Sequence, residues 1–354
     1  MPPVITAQHL RSNLLVKLGE RTGLTHALPL VLFAPTSRCN SRCVSCDWWK
    51  ADGADDLSLG EIRQLADGLK HYGTRTVVFT GGEPLLRPDV IEIADLFLHR
   101  GFNLQLLSSG LALEKHAADI GTRFTEVTIS LDGHTPDLYR AIRGVNGLDV
   151  VIAGARKLRA TVPDLVVRAR TTLHRRNFRH MSQIIEKALD ADISQISFLA
   201  ADVTSESFNR SALPSIGERP GQSGLLLSAD DTDEMEAVVE QVIAGFSSEI
   251  ASRRIVPGPE GLRRLVAYFR AHLGRGPFPP VECSAPWTSV VIEANGVVRP
   301  CFFHPPVGTL RRDSLDELLS VAMSRFRLGL TVARDPTCQK CVCSLKVGLR
   351  SKLW

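Results

Sequence analysis

Short apolar runs alternate with amphipathic stretches along roughly the first 200 residues of the chain. Six β-branched runs predict strands, and they are 29–34, 76–80, 103–107, 126–131, 165–173 and 194–199. The intervening stretches have the apolar spacing of helices, near 58–72, 88–100, 112–120, 146–160 and 178–190. Ser58 and Glu61 form a capping-box pattern at the start of the first of these helices.

Strand–helix units in series predict a parallel sheet with right-handed crossovers. Six units are too few for a closed eight-fold barrel, so the expected fold is α/β, a partial (β/α)6 barrel. In barrels of this kind the loops after the carboxyl ends of the strands build the active site.

The alternation ends near residue 200. Residues 202–228 are rich in Ser, Pro, Gly and Asn and predict a long loop. Helices are expected near 229–250 and 259–272, followed from residue 281 by a small cysteine-rich α+β module. Within this module, Asn295-Gly296 between two apolar runs predicts a β-hairpin.

Composition narrows the class of protein. The chain has 354 residues, 44% of them hydrophobic and 23% charged, which suits one large globular domain with a smaller one. A net charge of +4 without a sustained basic run gives no reason to expect a nucleic-acid partner. No stretch approaches the ~18 apolar residues of a membrane span, and residues 1–20 lack the features of a signal peptide. We therefore expect a cytoplasmic protein with reduced thiols.

Eight cysteines fall into two separated sets, which suggests two sulfur-ligated sites. We call the earlier set the first cysteine group; it comprises Cys39, Cys43 and Cys46. We call the later set the second cysteine group; it comprises Cys283, Cys301, Cys338, Cys341 and Cys343.

The first cysteine group follows directly after the first predicted strand. Three thiolates at this spacing can ligate three irons of a [4Fe–4S] cluster, which leaves the fourth iron open to a small molecule. A zinc site is the alternative, but zinc prefers four ligands in a closed site. His71 is the only histidine in the 50 residues after the motif.

This Cys-x3-Cys-x2-Cys motif resembles that of the radical S-adenosylmethionine (SAM) superfamily. The resemblance implies that the open iron binds the amino and carboxylate groups of SAM and that its cleavage yields a 5′-deoxyadenosyl radical. Relatives usually have an aromatic residue before the third cysteine, where this chain has Ser45. Trp48 and Trp49, just downstream, are candidates to cover the adenine instead.

Further motifs follow the later strands. Gly81, Gly82 and Glu83 resemble the family's GGE motif, which holds the methionine amino group. Ser108 ends the third strand in a polar-polar-Gly turn, for which an ordinary turn is the alternative. Ser130 and Asp132 lie in a segment that resembles the family's SLDG sequence, which implies contacts to SAM and a shaping role in the site.

Three arginines are candidates for anion contacts. Arg143 can pair with a carboxylate through its guanidinium, or lie on the surface. Arg168 and Arg170 are two residues apart on the fifth strand and so face the same side. If that side is inward they are candidates for SAM or substrate contacts, and if outward they are merely exposed.

The second cysteine group resembles the SPASM/twitch domains of some radical SAM enzymes. Full SPASM domains hold two auxiliary clusters and need more than five cysteines. The expected form is therefore the shorter twitch type, with one auxiliary [4Fe–4S] cluster on Cys283, Cys301, Cys338 and Cys341. Cys343 is a spare thiol that could replace Cys341, donate a hydrogen atom to a substrate radical, or do neither. Zinc is again the alternative.

The resemblance divides the chain into a lead-in helix at 1–28, a radical SAM core at 29–230, a helical connector at 231–280 and an auxiliary-cluster domain at 281–354. It implies oxidation or epimerisation of a small metabolite, with peptide maturation as the alternative and a non-redox zinc scaffold as a remote one. The expected partners are a small-molecule or peptide substrate and an electron donor such as flavodoxin or ferredoxin.

Overall fold

The computed structural model describes residues 6–210 and 223–351. Its strands are β1 Leu30–Thr36, β2 Thr76–Gly81, β3 Asn103–Ser108, β4 Glu126–Ser130, β5 Val166–Leu173, β6 Gln195–Ala200, β7 Ile255–Val256, β8 Ser289–Ile292, β9 Val297–Arg299 and β10 Gly308–Thr309. Its helices are α1 Ala7–Thr22, α2 Leu59–His71, α3 Val90–Leu98, α4 Ala117–Arg123, α5 Pro136–Arg143, α6 Leu148–Thr161, α7 Met181–Asp190, α8 Ala229–Gly245, α9 Ser247–Ala251, α10 Pro259–His272, α11 Ala285–Thr288, α12 Met323–Gly329 and α13 Pro336–Gln339.

All ten strands form one open sheet in the order β10-β9-β8-β1-β2-β3-β4-β5-β6-β7. Strands β1 to β7 pair in parallel in sequence order, which confirms the expected partial barrel. The later strand β8 pairs in parallel with β1, β9 pairs antiparallel with β8, and β10 pairs antiparallel with β9. The cysteine-rich module therefore extends the same sheet.

Helices cover one face of the sheet. Phe33, Phe79 and Phe97 are fully buried between this face and α3, with ring centroids 5.6 to 5.8 Å apart. Alternate residues point to the opposite face, which we call the inner face; Leu30, Leu32, Arg170 and Ser197 line a cavity there. The alternation of β5, with Val167, Ala169 and Thr171 buried between less buried neighbours, shows the two faces clearly.

The predicted hairpin is confirmed, with Asn295-Gly296 between β8 and β9 and Gly296 at φ +85°. The prediction missed α5, a single short helix that begins with Pro136 after the capping residue Thr135. The helix expected at 112–120 begins at Ala117 instead. Residues 211–222 of the loop expected at 202–228 lie outside the described residues. No described helix has the length and apolar character that a membrane crossing requires.

Candidate functional site

The first cysteine group lies on the loop that leaves the carboxyl end of β1. Its thiols are half-buried and face one another closely enough to interact electrostatically. The pKa of Cys39 is raised to about 11 and that of Cys46 to about 12, mainly by burial and to a smaller extent by the neighbouring thiols. A bound cation would reverse this effect, because thiolates are the form that ligates metal.

The end of β2 holds this loop in place. Gly82 packs directly against the loop backbone: a Cβ atom there would lie 2.1 Å from the Arg38 carbonyl oxygen. The Glu83 amide donates a hydrogen bond to the same oxygen at 2.8 Å. Gly81 has φ +103°, a conformation that favours glycine. The predicted Gly-Gly pair thus places Glu83 beside Cys39.

The Glu83 side chain is fully buried and anchored by protein donors. The Ser109 amide donates to it at 2.6 Å, the Leu85 amide at 3.1 Å, and the Ser108 hydroxyl lies 3.0 Å from both carboxylate oxygens. Because a hydroxyl has one proton and a carboxylate about four acceptor positions, one position stays available for a ligand's ammonium group. Ser108, a candidate cofactor-binding residue, thus helps to orient Glu83.

Asp132 and Arg143 form a buried ion pair at 3.2 Å beside the first cysteine group. The Thr172 amide also donates to Asp132, at 2.8 Å. Burial opposes the charge of Arg143, but the Cys43 thiol and the Asp132 carboxylate outweigh it and raise the pKa of Arg143. The Arg143 carbonyl accepts from the Arg42 amide at 2.8 Å, which ties α5 to the cysteine loop. Arg143 is therefore not a solvated surface arginine.

The two arginines of β5 lie on the same face of the sheet but have different partners. Arg168 pairs with Glu126 of β4 at 3.1 Å, so its charge is already compensated. Arg170 lies beside Ser130 in the sheet register, donates to the Ser197 hydroxyl at 3.3 Å and lines the cavity. No carboxylate within the described residues lies within 4 Å of the Arg170 guanidinium.

The second cysteine group assembles from three places: Cys283 before α11, Cys301 after β9, and Cys338 to Cys343 in and after α13. Every one of its five thiols borders the cavity and interacts electrostatically with others of the group. Burial raises the pKa of Cys301 to about 11, with a smaller contribution from its neighbours. Cys343 is the exposed member, as suits a spare thiol.

His304 is a site residue that the sequence did not reveal. Its buried imidazole Nε2 lies 3.3 Å from the Cys338 thiol and 3.7 Å from Asp335 Oδ1. Asp335 in turn caps α13 by accepting from the Cys338 amide at 2.9 Å. The sequence does place a histidine and an aspartate close to cysteines of this group, which is typical of a metal site. Only the fold shows that His304 contacts a cysteine 34 residues away.

A second unpredicted feature is Phe208, which lies between the two cysteine groups. Its carbonyl oxygen accepts from the Asp47 amide at 2.9 Å and lies 3.7 Å from the Cys46 sulfur. Its ring stacks on Phe302, directly after Cys301, with 6.0 Å between centroids. Phe208 has φ 64°, which is uncommon for a bulky side chain.

The inner-face cavity is about 510 Å³ and largely apolar. Its walls come from the sheet, from α10 and from the second cysteine group. That size falls in the range of small-molecule pockets.

The donor sets fit iron–sulfur clusters. The first group offers three thiols within electrostatic reach of one another, which suits three irons of a cubane, whereas four-coordinate zinc favours a closed site with four ligands. The second group offers at least four thiols, enough to close a cubane. Glu83 supplies a buried carboxylate beside the first group that can accept a hydrogen bond from an ammonium group.

Comparison with known proteins gives the family. Residues 33–188 match the model of the radical SAM superfamily, and residues 283–342 match SPASM, an iron–sulfur cluster-binding domain. The chain is therefore a radical SAM protein with a C-terminal SPASM domain. These domains imply SAM, a [4Fe–4S] cluster and auxiliary iron–sulfur binding.

Individual relatives are more distant. The chain is 28% identical over 178 residues to Fe-coproporphyrin III synthase of Methanosarcina barkeri, covering 48% of this chain and 43% of that protein. It is 31% identical over 192 residues to GTP 3′,8-cyclase of Pseudomonas entomophila, covering 52% and 58%. The alignments thus span about half the length of these curated relatives. SuiB of Streptococcus suis, bound to SAM, shares the fold with a TM-score of 0.64 at 13% identity, covering 94% of this chain and 76% of that one.

Proposed function

We propose that this protein uses SAM to abstract a hydrogen atom from a small metabolite and then oxidises the resulting substrate radical. The observation that carries the proposal is the convergence of the first cysteine group with the Glu83 carboxylate and the Arg143 guanidinium at one end of the sheet. When bound there, a [4Fe–4S] cluster and SAM supply a 5′-deoxyadenosyl radical.

In this proposal each residue of the first site has a defined task. Cys39, Cys43 and Cys46 hold three irons. Glu83 accepts a hydrogen bond from the SAM ammonium, in the orientation that Ser108 and Ser109 fix. Arg143, held by Asp132, offsets the negative charge of the thiolates; Gly81 and Gly82 let the β2 turn approach the loop.

Ser130 and Arg170 have tasks on the inner face. The two residues lie opposite each other on neighbouring strands, Ser130 on β4 and Arg170 on β5. We assign Ser130 to the SAM ribose or carboxylate. Arg170, which lacks a carboxylate partner among residues 6–210 and 223–351, is assigned to an anionic group of SAM or of the substrate.

The second site is assigned an oxidising role. Cys283, Cys301, Cys338 and Cys341 hold one auxiliary [4Fe–4S] cluster at the wall of the cavity. A substrate radical in the cavity would then lose its electron to this cluster and its proton to water, which gives net two-electron oxidation. Epimerisation is the alternative, with Cys343 as the hydrogen-atom donor.

Iron content and SAM cleavage test the proposal. Anaerobically purified protein should be brown and carry about eight irons per chain. The triple variant Cys39→Ala, Cys43→Ala, Cys46→Ala should keep about half of the iron and lose all SAM cleavage. Colourless protein with two zinc ions, or cleavage that persists in the triple variant, would refute the assignment.

Isotopes separate oxidation from epimerisation. Deuterated candidate substrates should transfer label to 5′-deoxyadenosine in both cases. Oxidation yields a product that lacks two hydrogens and takes no deuterium from D2O. Epimerisation would introduce solvent deuterium and depend on Cys343, so a Cys343→Ser variant would stop it.

A further inference from the structure

Helix α1 exposes a row of leucines. Leu10, Leu14 and Leu18 are 40, 57 and 43% exposed, and their spacing of four residues places them on one face of the helix. Single exposed leucines are ordinary, whereas a contiguous row is typical of an interaction site.

Other segments extend this row. Leu328, 72% exposed, covers the end of α1, because a Cβ atom on Gly23 would lie 2.8 Å from its Cδ2. The Leu349 carbonyl accepts from the Asn13 amide group of α1 at 2.8 Å, and its side chain is 49% exposed. Leu24, directly after Gly23, is 49% exposed. We call these residues the leucine surface; it comprises Leu10, Leu14, Leu18, Leu24, Leu328 and Leu349.

The rim of the leucine surface is basic. Four exposed arginines lie on the same segments, and none of them has a carboxylate within 4 Å among the described residues; they are Arg11, Arg21, Arg325 and Arg350. The other three basic residues of α1, α12 and residues 345–351 add little to this charge, because Arg327 is buried and Lys17 and Lys346 pair with Glu20 and Glu282. Two copies meeting through this surface would juxtapose like charges, whereas an acidic partner would complement it.

Helix α1 lies between the leucine row and the second cysteine group. Its buried face packs on α11, which begins two residues after Cys283, and a Cβ atom on Gly19 of that face would lie 3.8 Å from Trp287 Cδ1. A protein docked on the exposed face of α1 would thus be separated from this group by α1 and α11. Helix α6 connects β4 to β5, which are four and five strands away from β8, the strand that α11 contacts.

We propose that the leucine surface docks an acidic one-electron carrier protein that exchanges electrons with the cluster of the second cysteine group. This inference rests on the proposed function, because it needs an auxiliary iron–sulfur cluster. In net oxidation the substrate radical passes one electron to the cluster and one proton to water. The cluster passes that electron to the oxidised carrier, which is reduced by one electron and closes the balance.

Electron transfer to oxidised flavodoxin, an acidic flavoprotein, tests the inference. The full-length Cys39→Ala, Cys43→Ala, Cys46→Ala variant keeps only the auxiliary cluster, which is reduced and mixed with flavodoxin in a stopped-flow instrument. Arg21→Glu or Leu14→Ser, added to this variant, should lower the second-order rate constant of electron transfer to flavodoxin about tenfold. A higher NaCl concentration should also lower the rate constant of the triple variant whose leucine surface is unchanged. Lys157→Glu on the exposed side of α6 makes the same charge change and should leave the rate within about twofold.

Several results would overturn the inference. One is an equal rate for Arg21→Glu and Lys157→Glu, with iron content and circular dichroism unchanged in both. Others are self-association through the leucine surface in sedimentation velocity, or tight binding to phosphatidylglycerol vesicles without binding to flavodoxin. The equilibrium binding of flavodoxin to the holoenzyme, measured with Arg21→Glu and with Lys157→Glu, makes the same comparison in protein that keeps all three cysteines of the first group. Absence of iron from the wild-type protein would instead refute the proposed function.

Discussion

Burying a carboxylate costs free energy unless hydrogen-bond donors occupy its acceptor positions. At Glu83 three protein donors occupy all but one of about four such positions. The Ser108 hydroxyl and the Ser109 amide determine where its charge points. The same residues therefore contribute both to folding and to the proposed SAM site, and substitution can separate the two contributions.

We predict that Glu83→Gln weakens SAM binding at least about tenfold, because the amide loses the charge that attracts the ammonium. It should also cost about 1–3 kcal/mol of stability, since an amide NH2 would face the Ser109 amide. Ser108→Ala is the matched control: it removes one donor but keeps the charge, so SAM binding should change only a few-fold. Calorimetric titration of SAM into both variants makes the comparison, and equal losses would refute the role of the charge.

His304 should influence the auxiliary cluster through the contact between its imidazole and Cys338. An N–H donor to a ligating sulfur stabilises the more negative, reduced cluster. We therefore expect His304→Leu to lower the midpoint potential in a titration followed by electron paramagnetic resonance, and His304→Gln to restore part of it. Phe326→Leu, which alters a ring that packs on His304 at 4.8 Å, serves as the control. An unchanged potential in His304→Leu at full iron content would contradict the assignment.

His174 makes stability depend on pH. Burial, with a smaller contribution from Arg176, lowers its pKa from 6.5 to about 4. Below pH 6.5 the unfolded chain therefore takes up a proton at this histidine, whereas the folded protein does so only near pH 4. The free energy of unfolding should fall by up to about 3 kcal/mol as the pH drops from about 6.5 to about 4. Urea unfolding across this window should show a shallower slope for His174→Gln. An identical slope would mean that His174 takes up its proton over the same pH range in the folded protein as in the unfolded chain.

At the scale of elements, regular strands were predictable and short connections were not. The six core strands lie within two residues of their predicted bounds, because each is a β-branched run that alternates with a helix. Helix α5 was missed because eight residues carry little periodic signal, yet it places Arg143 beside the cysteines. The cysteine and Gly-Gly-Glu motifs were visible in sequence, whereas the Glu83–Ser108 and Asp132–Arg143 contacts depend on how strands align.

The junction of β2 with the first cysteine loop gives an element-scale prediction. Gly82→Ala must displace the loop, because the added Cβ would meet the Arg38 carbonyl at 2.1 Å. We expect loss of the SAM-site cluster, seen as about half of the iron, while the auxiliary cluster persists. Gly60→Ala in α2, where the Cβ has space, should retain all iron and be slightly stabilising. Full iron in Gly82→Ala would show that the loop can shift without losing its ligand geometry.

On the scale of the whole molecule, the two cysteine groups belong to one structural unit. The pairing of β8 with β1 joins their modules through the sheet, which the sequence could not indicate because about 250 residues separate these strands. The segment around Phe208 joins them a second time, with the Ser207 hydroxyl bonded to the Phe302 carbonyl and a buried Arg210–Asp202 ion pair behind it. The two groups should therefore respond together when this segment is altered.

Phe208→Ala tests that coupling. The variant removes a half-buried ring that stacks on Phe302, so we expect a loss of about 2 kcal/mol, less than for a fully buried phenylalanine. Hydrogen exchange should increase both in residues 43–50 and in residues 298–304, because Phe208 contacts both segments. Phe246→Ala removes a comparable ring from the α8–α9 junction and should leave exchange at both segments unchanged at the same stability loss. If exchange rises at one segment alone in Phe208→Ala, the sheet and not this segment couples the two groups.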